Sequence, residues 1–226
     1  MNAEILGAWM EKLIARWSLC GERTFFDKTF FPWVTQIEGE WCAIRTELEA
    51  VLAQKDKIPN LQDVSPEQGV LASGDTWKTF FFYGYGHRVE QNCARCPVTA
   101  RVLKRIPGLK TAFFSVLAPK SHIPPHRGPY KGVLRYHLGL MIPLPAGSCR
   151  IRVGDEVRSW NEGESLIFDD SYLHEVWNDS DFYRVVLFVD FLRPLPLPLS
   201  LLNRLVVWRI SKLPFIEEAV KRLRNT

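Results

Sequence analysis

Apolar side chains at Ile5, Leu6, Trp9, Leu13 and Trp17 recur at helical spacing and predict a helix over residues 3–19. The stretch IEGEWCAIRTELEAVLA (37–53) repeats that period and predicts a second amphipathic helix. KDKIPNLQDVSPEQG then reads as a polar, proline-containing loop. WKTFFFYGYG (77–86) is aromatic, ends in glycines and reads as a strand. CPVTARVLKRI (96–106) predicts a short helix with Pro97 in its first turn, where a missing N–H costs nothing.

From residue 111 the pattern changes. TAFFSVLAP, VLRYHLGLMIP, SCRIRVG, EVRSW, ESLIFD, HEVWN and YRVVLFVDF follow one another as short β-branched and aromatic runs. Gly154-Asp155 predicts a hairpin, and Asn161 to Gly163 a second tight connection. Strands at this spacing without intervening helices point to a sandwich or barrel, and their number fits a jelly roll. The expected class is therefore mainly β: a double-stranded β-helix, cupin-like, with N-terminal supporting helices and a C-terminal helical tail. The prolines at 194, 196 and 198 form a stiff connector, and residues 200–225 read as helix interrupted near Pro214. The expected division is a helical annex over 1–70, a jelly-roll core over 71–194, and a connector with a basic amphipathic helix over 195–226.

Composition narrows the class only slightly. Apolar residues make up 46% and charged residues 24%, enough for an ordinary core. A net charge of +4 is too small to argue nucleic-acid binding, and none is expected. Five cysteines are too few and odd in number for a disulfide scaffold, which points to a reduced, cytoplasmic setting. The N-terminus lacks the basic start and apolar run of a secretory signal, and no run of about 18 apolar residues predicts a spanning helix. The tail differs: from Arg193 onward, seven Lys or Arg face two Glu. A basic, tryptophan-containing helix can lie on an anionic membrane, so peripheral membrane contact stands beside plain packing on the barrel.

Candidate chemistry centres on HRGPYKGVLRYHLGL (126–140). The chain has five histidines, His87, His122, His126, His137 and His174. His126 follows SHIPP, read as a loop entering the barrel, and His174 starts a later strand in FDDSYLHEVW. Two histidines at strand ends of a jelly roll can meet at its mouth and hold Fe(II), usually with a carboxylate two residues after the first. Gly128 occupies that place. A coordination position is then left for water or halide, and a halogenase is one reading. Asp169 and Asp170 are the nearest other carboxylates and are not expected to ligate. Arg135 and Arg184 lie inside apolar strand runs, where a guanidinium is costly unless it faces outward or meets an anion. Two forked cations beside two imidazoles suggest a dicarboxylate such as 2-oxoglutarate. The imidazoles alone would also accept Zn²⁺ or Cu²⁺.

Several ordered blocks, FSVLAPKSHIPPHRGP, LRYHLGLMIP, CRIRVGDEVRSWNEGESLIFDDSYLHEVWN and RVVLFVDFLRP, resemble the aspartyl/asparaginyl β-hydroxylases, a family of Fe(II)- and 2-oxoglutarate-dependent oxygenases. The resemblance runs from about Trp77 to Pro194. It implies that His126 and His174 ligate iron without a carboxylate, so Gly128 is a family feature. It implies that Ser115 and Arg184 hold the distal carboxylate of 2-oxoglutarate, that Arg135 and His137 contact its metal-binding end, and that Trp77 lines the pocket. Fe(II), 2-oxoglutarate and O₂ are the implied cofactors and co-substrates. Luminal members close a disulfide for which Cys93 is one match, whereas the other position is Ala100 here. The Cys93–Cys96 pair alone is a weak zinc signal. The implied substrate is the β-carbon of an Asp or Asn residue in a peptide or protein. The alternatives are an acyl chain of lipid A at a membrane surface, or a non-catalytic jelly-roll binding module.

Overall fold

The computed structural model describes residues 3–71 and 74–225. In chain order the helices and strands are α1 (Ala3–Trp17), β1 (Phe25–Phe26), α2 (Trp33–Glu38), α3 (Trp41–Leu52), α4 (Leu61–Val64), β2 (Trp77–Gly84), β3 (His87–Arg88), α5 (Glu90–Arg95), α6 (Pro97–Leu103), β4 (Leu109–Leu117), β5 (Ser121–His126), β6 (Val133–Met141), β7 (Cys149–Val153), β8 (Glu156–Ser159), β9 (Ser165–Phe168), β10 (His174–Asn178), β11 (Arg184–Leu192), α7 (Leu199–Ile210) and α8 (Pro214–Asn225). A larger sheet runs β1-β9-β6-β11-β4-β2-β3, and a smaller one runs β5-β10-β7-β8. Their strands pair antiparallel throughout, and the two sheets form the expected jelly-roll sandwich.

The larger sheet is buried on both faces, which explains why its strands read as continuous apolar runs. Leu134, Tyr136, Leu138 and Leu140 of β6 and Val185, Leu187 and Val189 of β11 join a core with Ile44 and Leu48 of α3 and Val102 of α6. The other face meets the smaller sheet: Trp77, Leu117 and Val186 pack with Ile123, Ile151 and Val176. Side chains alternate along a strand, so Arg184, Phe188 and Asp190 share the inner face with Val186. Arg135 and His137 do the same on β6. The inner face is thus where the polar residues lie.

Four sequence readings change. The helix expected over 37–53 is two, because the chain breaks at Gly39-Glu40; Glu38 there accepts the Ser165 backbone N–H at 3.1 Å and ties the helical layer to β9. The expected loop after residue 54 contains α4, whose Asp63 carboxylate accepts the Asn60 N–H at 3.0 Å, half of a capping box. SHIPP is strand rather than loop. Its two prolines fit because β5 is an edge strand whose one ladder neighbour is β10. Phe25–Phe26, inside the supposed annex, pair with β9 and extend the larger sheet.

Both chain ends close over this core. Arg193 and Asp169 form a fully buried ion pair, and Lys131 reaches the same carboxylate at 3.1 Å. The Leu19 N–H bonds Pro194 O at 3.0 Å, and Met10, Ile14 and Leu195 pack together. The helical tail splits in two. Helix α8 buries Ile216, Ala219, Val220 and Leu223, whereas α7 buries Asn203 and Val207 and leaves most of its leucines exposed.

Candidate active site

His126 ends β5 and His174 starts β10. The two are direct partners in the antiparallel register, with ring centroids 4.1 Å apart. Local sequence sets both. Pro124-Pro125 holds the chain extended into His126. An Asx turn leads into His174, with the Asp169 carboxylate accepting the Ser171 N–H at 3.0 Å. A bulge between His174 and Val176 then re-aims the strand. Each imidazole donates its Nδ1–H to a backbone carbonyl, His126 to Pro124 O at 2.8 Å and His174 to Tyr172 O at 2.9 Å. This fixes the tautomer and leaves both Nε2 lone pairs for a ligand. His174 Nε2 is buried with no hydrogen-bond partner. Burial lowers the His126 pKa, and burial with Arg135 nearby lowers that of His174 to about 3, so both rings are neutral at pH 7. Two neutral, oriented imidazoles with free Nε2 atoms suit a divalent transition metal.

Beside them the chain has its own carboxylates. Arg135 Nη2 meets Asp170 Oδ2 at 2.8 Å, and its Nε meets Asp190 Oδ1 at 2.8 Å. Burial pushes the Asp170 carboxyl up to about 6, with Arg135 pulling the other way. The Gly128 N–H bonds Asp170 O at 2.7 Å, and a Cβ at Gly128 would run into the Asp170 carboxylate. A side chain at 128 is therefore excluded by the space Asp170 fills. Among the described residues no three His, Cys, Asp or Glu are placed to hold a metal ion together.

Arg184 contrasts with Arg135. It is 1% exposed, and its Nε and Nη1 have no partner. Burial lowers its pKa to about 10, which still leaves it charged at pH 7. It lies over the Trp160 ring at 4.8 Å. His137, stacked on Trp160 at 5.8 Å, is also buried with neither ring nitrogen paired; burial and the nearby Arg184 and Arg135 hold its pKa well below the usual value. Trp160 Nε1 is a third buried donor without a partner. Trp77 donates its indole N–H to Ser115 Oγ at 2.9 Å, which leaves the Ser115 proton free for an acceptor. A charged guanidinium and several unmet polar groups inside a sandwich form a cradle that a carboxylate would satisfy.

All seven sequence-predicted residues, Trp77, Ser115, His126, Arg135, His137, His174 and Arg184, thus face the space between the sheets. Arg135 meets its anions within the chain, unlike Arg184. Trp160 and Asp190 escaped the sequence reading, and Asp170 was weighed there only as a metal ligand, not as a partner of Arg135. Asp190 could have been found as the inner-face partner of Arg135, since the two are opposite in register. His122 lies apart, bonded to Glu175 at 2.8 Å and stacked on Trp177. Cys93 and Cys96 are buried free thiols, and burial pushes Cys96 up to about 12.

Two clefts reach the site. One, of about 320 Å³, runs from Val64 of α4 past Phe81 and Leu223 to His126 and Arg135. The other, of about 340 Å³, reaches Arg135, Asp170 and Asp190 from Val207, Trp208 and Lys212 of the α7 side.

A model of the family described as aspartyl/asparaginyl beta-hydroxylase matches residues 38–194. The chain belongs to that family. It is 45% identical over 217 residues to an ornithine lipid ester-linked acyl 2-hydroxylase of Rhizobium tropici, covering 94% of this chain and 76% of that protein. It is 37% identical over 166 residues to the human aspartyl/asparaginyl beta-hydroxylase, covering 71% of this chain and 21% of that protein. A solved cupin domain of an Enterobacter cloacae transcriptional regulator aligns with 53% of this chain and 99% of its own, at 12% identity and a TM-score of 0.37. The family match starts well before Trp77, and the Rhizobium relative extends across most of both helical ends, beyond the reach of the sequence motifs. Membership makes the chain a hydroxylase-family enzyme.

Gly128→Asp should lose about 1–3 kcal/mol of stability through overpacking against Asp170 and should not tighten iron binding. Thermal unfolding and Fe(II) titration check this; tighter iron binding would remove Asp170 from the space beside Gly128. The protein should also weaken in acid. Unfolded His174 takes a proton below about 6.5 and folded His174 only near 3, so stability falls between those values by up to about 1.4 kcal/mol per pH unit. Asp170, raised to about 6, works the other way between its unfolded value and that pH. Urea titrations of wild type and His174→Gln across this range should show a shallower acid loss in the variant.

Proposed function

We propose that the chain is an Fe(II)- and 2-oxoglutarate-dependent hydroxylase acting on an acyl chain of a lipid. The observation that carries the reading is the juxtaposition of two Nδ1-anchored imidazoles with a buried, charged and unpaired Arg184. His126 and His174 would hold the iron, and Arg184 with the Ser115 hydroxyl would hold the far carboxylate of the co-substrate. When bound, the iron would supply O₂ activation coupled to oxidative decarboxylation of 2-oxoglutarate to succinate and CO₂. The protein's part is positioning. Trp77 orients the Ser115 hydroxyl, and Trp160 covers Arg184 and His137. Asp170 and Asp190 hold Arg135 in place and neutralise it, so that Arg184 is the better anion receptor of the two.

The lipid substrate draws support from the Rhizobium relative, which acts on an ester-linked acyl chain and whose match includes most of the helical ends. It also draws support from the cleft on the α7 side, walled by Val207, Trp208 and Ile210. Hydroxylation of Asp or Asn residues is the second reading. It is favoured by the human relative and by the Lys110 and Lys212 side chains at the same cleft, which suit an acidic group.

Arg184→Ala should raise the 2-oxoglutarate KM by an amount equivalent to about 2–5 kcal/mol, with partial recovery in Arg184→Lys. An unchanged requirement for 2-oxoglutarate would refute its role. Succinate release and product mass should be measured against ornithine-lipid and lipid A extracts and against Asp- and Asn-containing peptides. The lipid reading expects one oxygen atom added to an acyl chain. Addition to a peptide would select the second reading, and absence of succinate under every condition would leave a binding module.

A further inference from the structure

We infer that α7, together with α1 and the proline connector, forms a docking face for the surface of an anionic lipid bilayer, set at the mouth of the active-site cleft. Leu201, Leu205 and Trp208 lie at i, i+4 and i+7 on one side of α7 and are 58%, 52% and 54% exposed. The opposite side, with Asn203 and Val207, is the one packed on the protein. At 3.6 residues per turn, Arg204 and Arg209 flank the apolar stripe on either side, and Lys212 continues its line. Helix α7 contains no Asp or Glu. Lys212 reaches Glu217 at 3.8 Å, while among the described residues Arg204 and Arg209 are in no ion pair.

Next to the stripe along α7 lies a second apolar surface, reached through Leu202, which precedes Leu205 by three residues. Leu202 lines an open groove of about 490 Å³ with Leu13 and Trp17 of α1 and with Leu197, Pro198 and Leu199. Trp17 and Leu197 are 53% and 73% exposed. Large apolar side chains gathered in this way mark an interaction surface. The occupant follows from charge and residue type. An apolar stripe edged by arginines that can snorkel, with tryptophans at its borders, matches the layered polarity of a bilayer interface. Its cations complement anionic headgroups. With 12 residues α7 is too short to span a bilayer, so docking would lay it in the interface plane.

The position of the face gives it a purpose. Trp208 and Lys212 belong both to the exposed stripe and to the cleft that ends at Arg135, Asp170 and Asp190. A docked molecule therefore opens this cleft toward the lipid, and an acyl chain can pass between α7 and β6 without crossing bulk water. That delivery step rests on the lipid-hydroxylase reading; the docking does not.

The test is co-sedimentation of the full chain with phosphatidylcholine vesicles, with and without phosphatidylglycerol, at low and high salt. Leu201→Glu/Leu205→Glu is the variant, since both side chains are exposed and lie outside the cleft; its melting temperature reports folding. Wild type should pellet with the anionic vesicles, release with salt, and remain in solution with the neutral ones. The variant should lose about tenfold or more in partitioning while melting as wild type. Wild type left in solution with anionic vesicles, or a variant that pellets equally, would overturn the proposal. So would a wild-type dimer that the variant dissociates, which would make a second copy the occupant. Succinate release on detergent-dispersed lipid separates the two readings. Vesicle binding without turnover would keep the docking face and discard the hydroxylase substrate, whereas turnover without vesicle binding would do the reverse.

Discussion

The antiparallel pairing of β5 with β10 is the contact on which the site depends. It sets His126 opposite His174, and the backbone carbonyl two residues before each histidine takes its Nδ1 proton. Neither imidazole needs a side-chain partner to be oriented. The carboxylate usual at such sites is excluded for a steric reason as well. The backbone at Gly128 lies against Asp170, whose carboxylate is committed to Arg135. The carboxylate beside Gly128 instead comes from the turn before the second histidine and meets a guanidinium.

The inner face of the larger sheet then sorts its two arginines. Both occupy apolar strands, and from their neighbours in sequence they look alike. Asp190 and Asp170 satisfy Arg135, whereas Arg184 is enclosed by Trp160 with donors left over. Burying a charge without a partner destabilises a fold by several kcal/mol, so a structure that retains one points to a missing anion. The same argument extends to His137 and Trp160, whose unmet polar atoms lie nearby.

Much of this was legible in the chain. The β-rich half, the hairpin at Gly154 and the histidine pair follow from short apolar runs, turn residues and spacing. The strand SHIPP was not, because prolines argue against a ladder until the strand is known to sit at an edge. The break between α2 and α3 was not, because a glycine inside an amphipathic pattern does not reveal that a neighbouring glutamate is needed by β9. Trp160 and Asp170 had no local signature; their meaning comes from contacts across the sandwich. The break of the tail near Pro214 was legible, but not the difference in burial between α8, packed over Phe81 and Phe113, and α7, which is bare on one side.

The edge position of β5 also places His126 at the rim of the smaller sheet. A strand with a neighbour on one side only, carrying two residues that cannot donate to a ladder, is the cheapest part of the sandwich to peel away. His174 is buried on the inner strand, whereas His126 ends the edge strand just after its two prolines. On the proposed iron reading, the edge of the smaller sheet is then where an ion would enter and leave, with the rest of the sandwich intact.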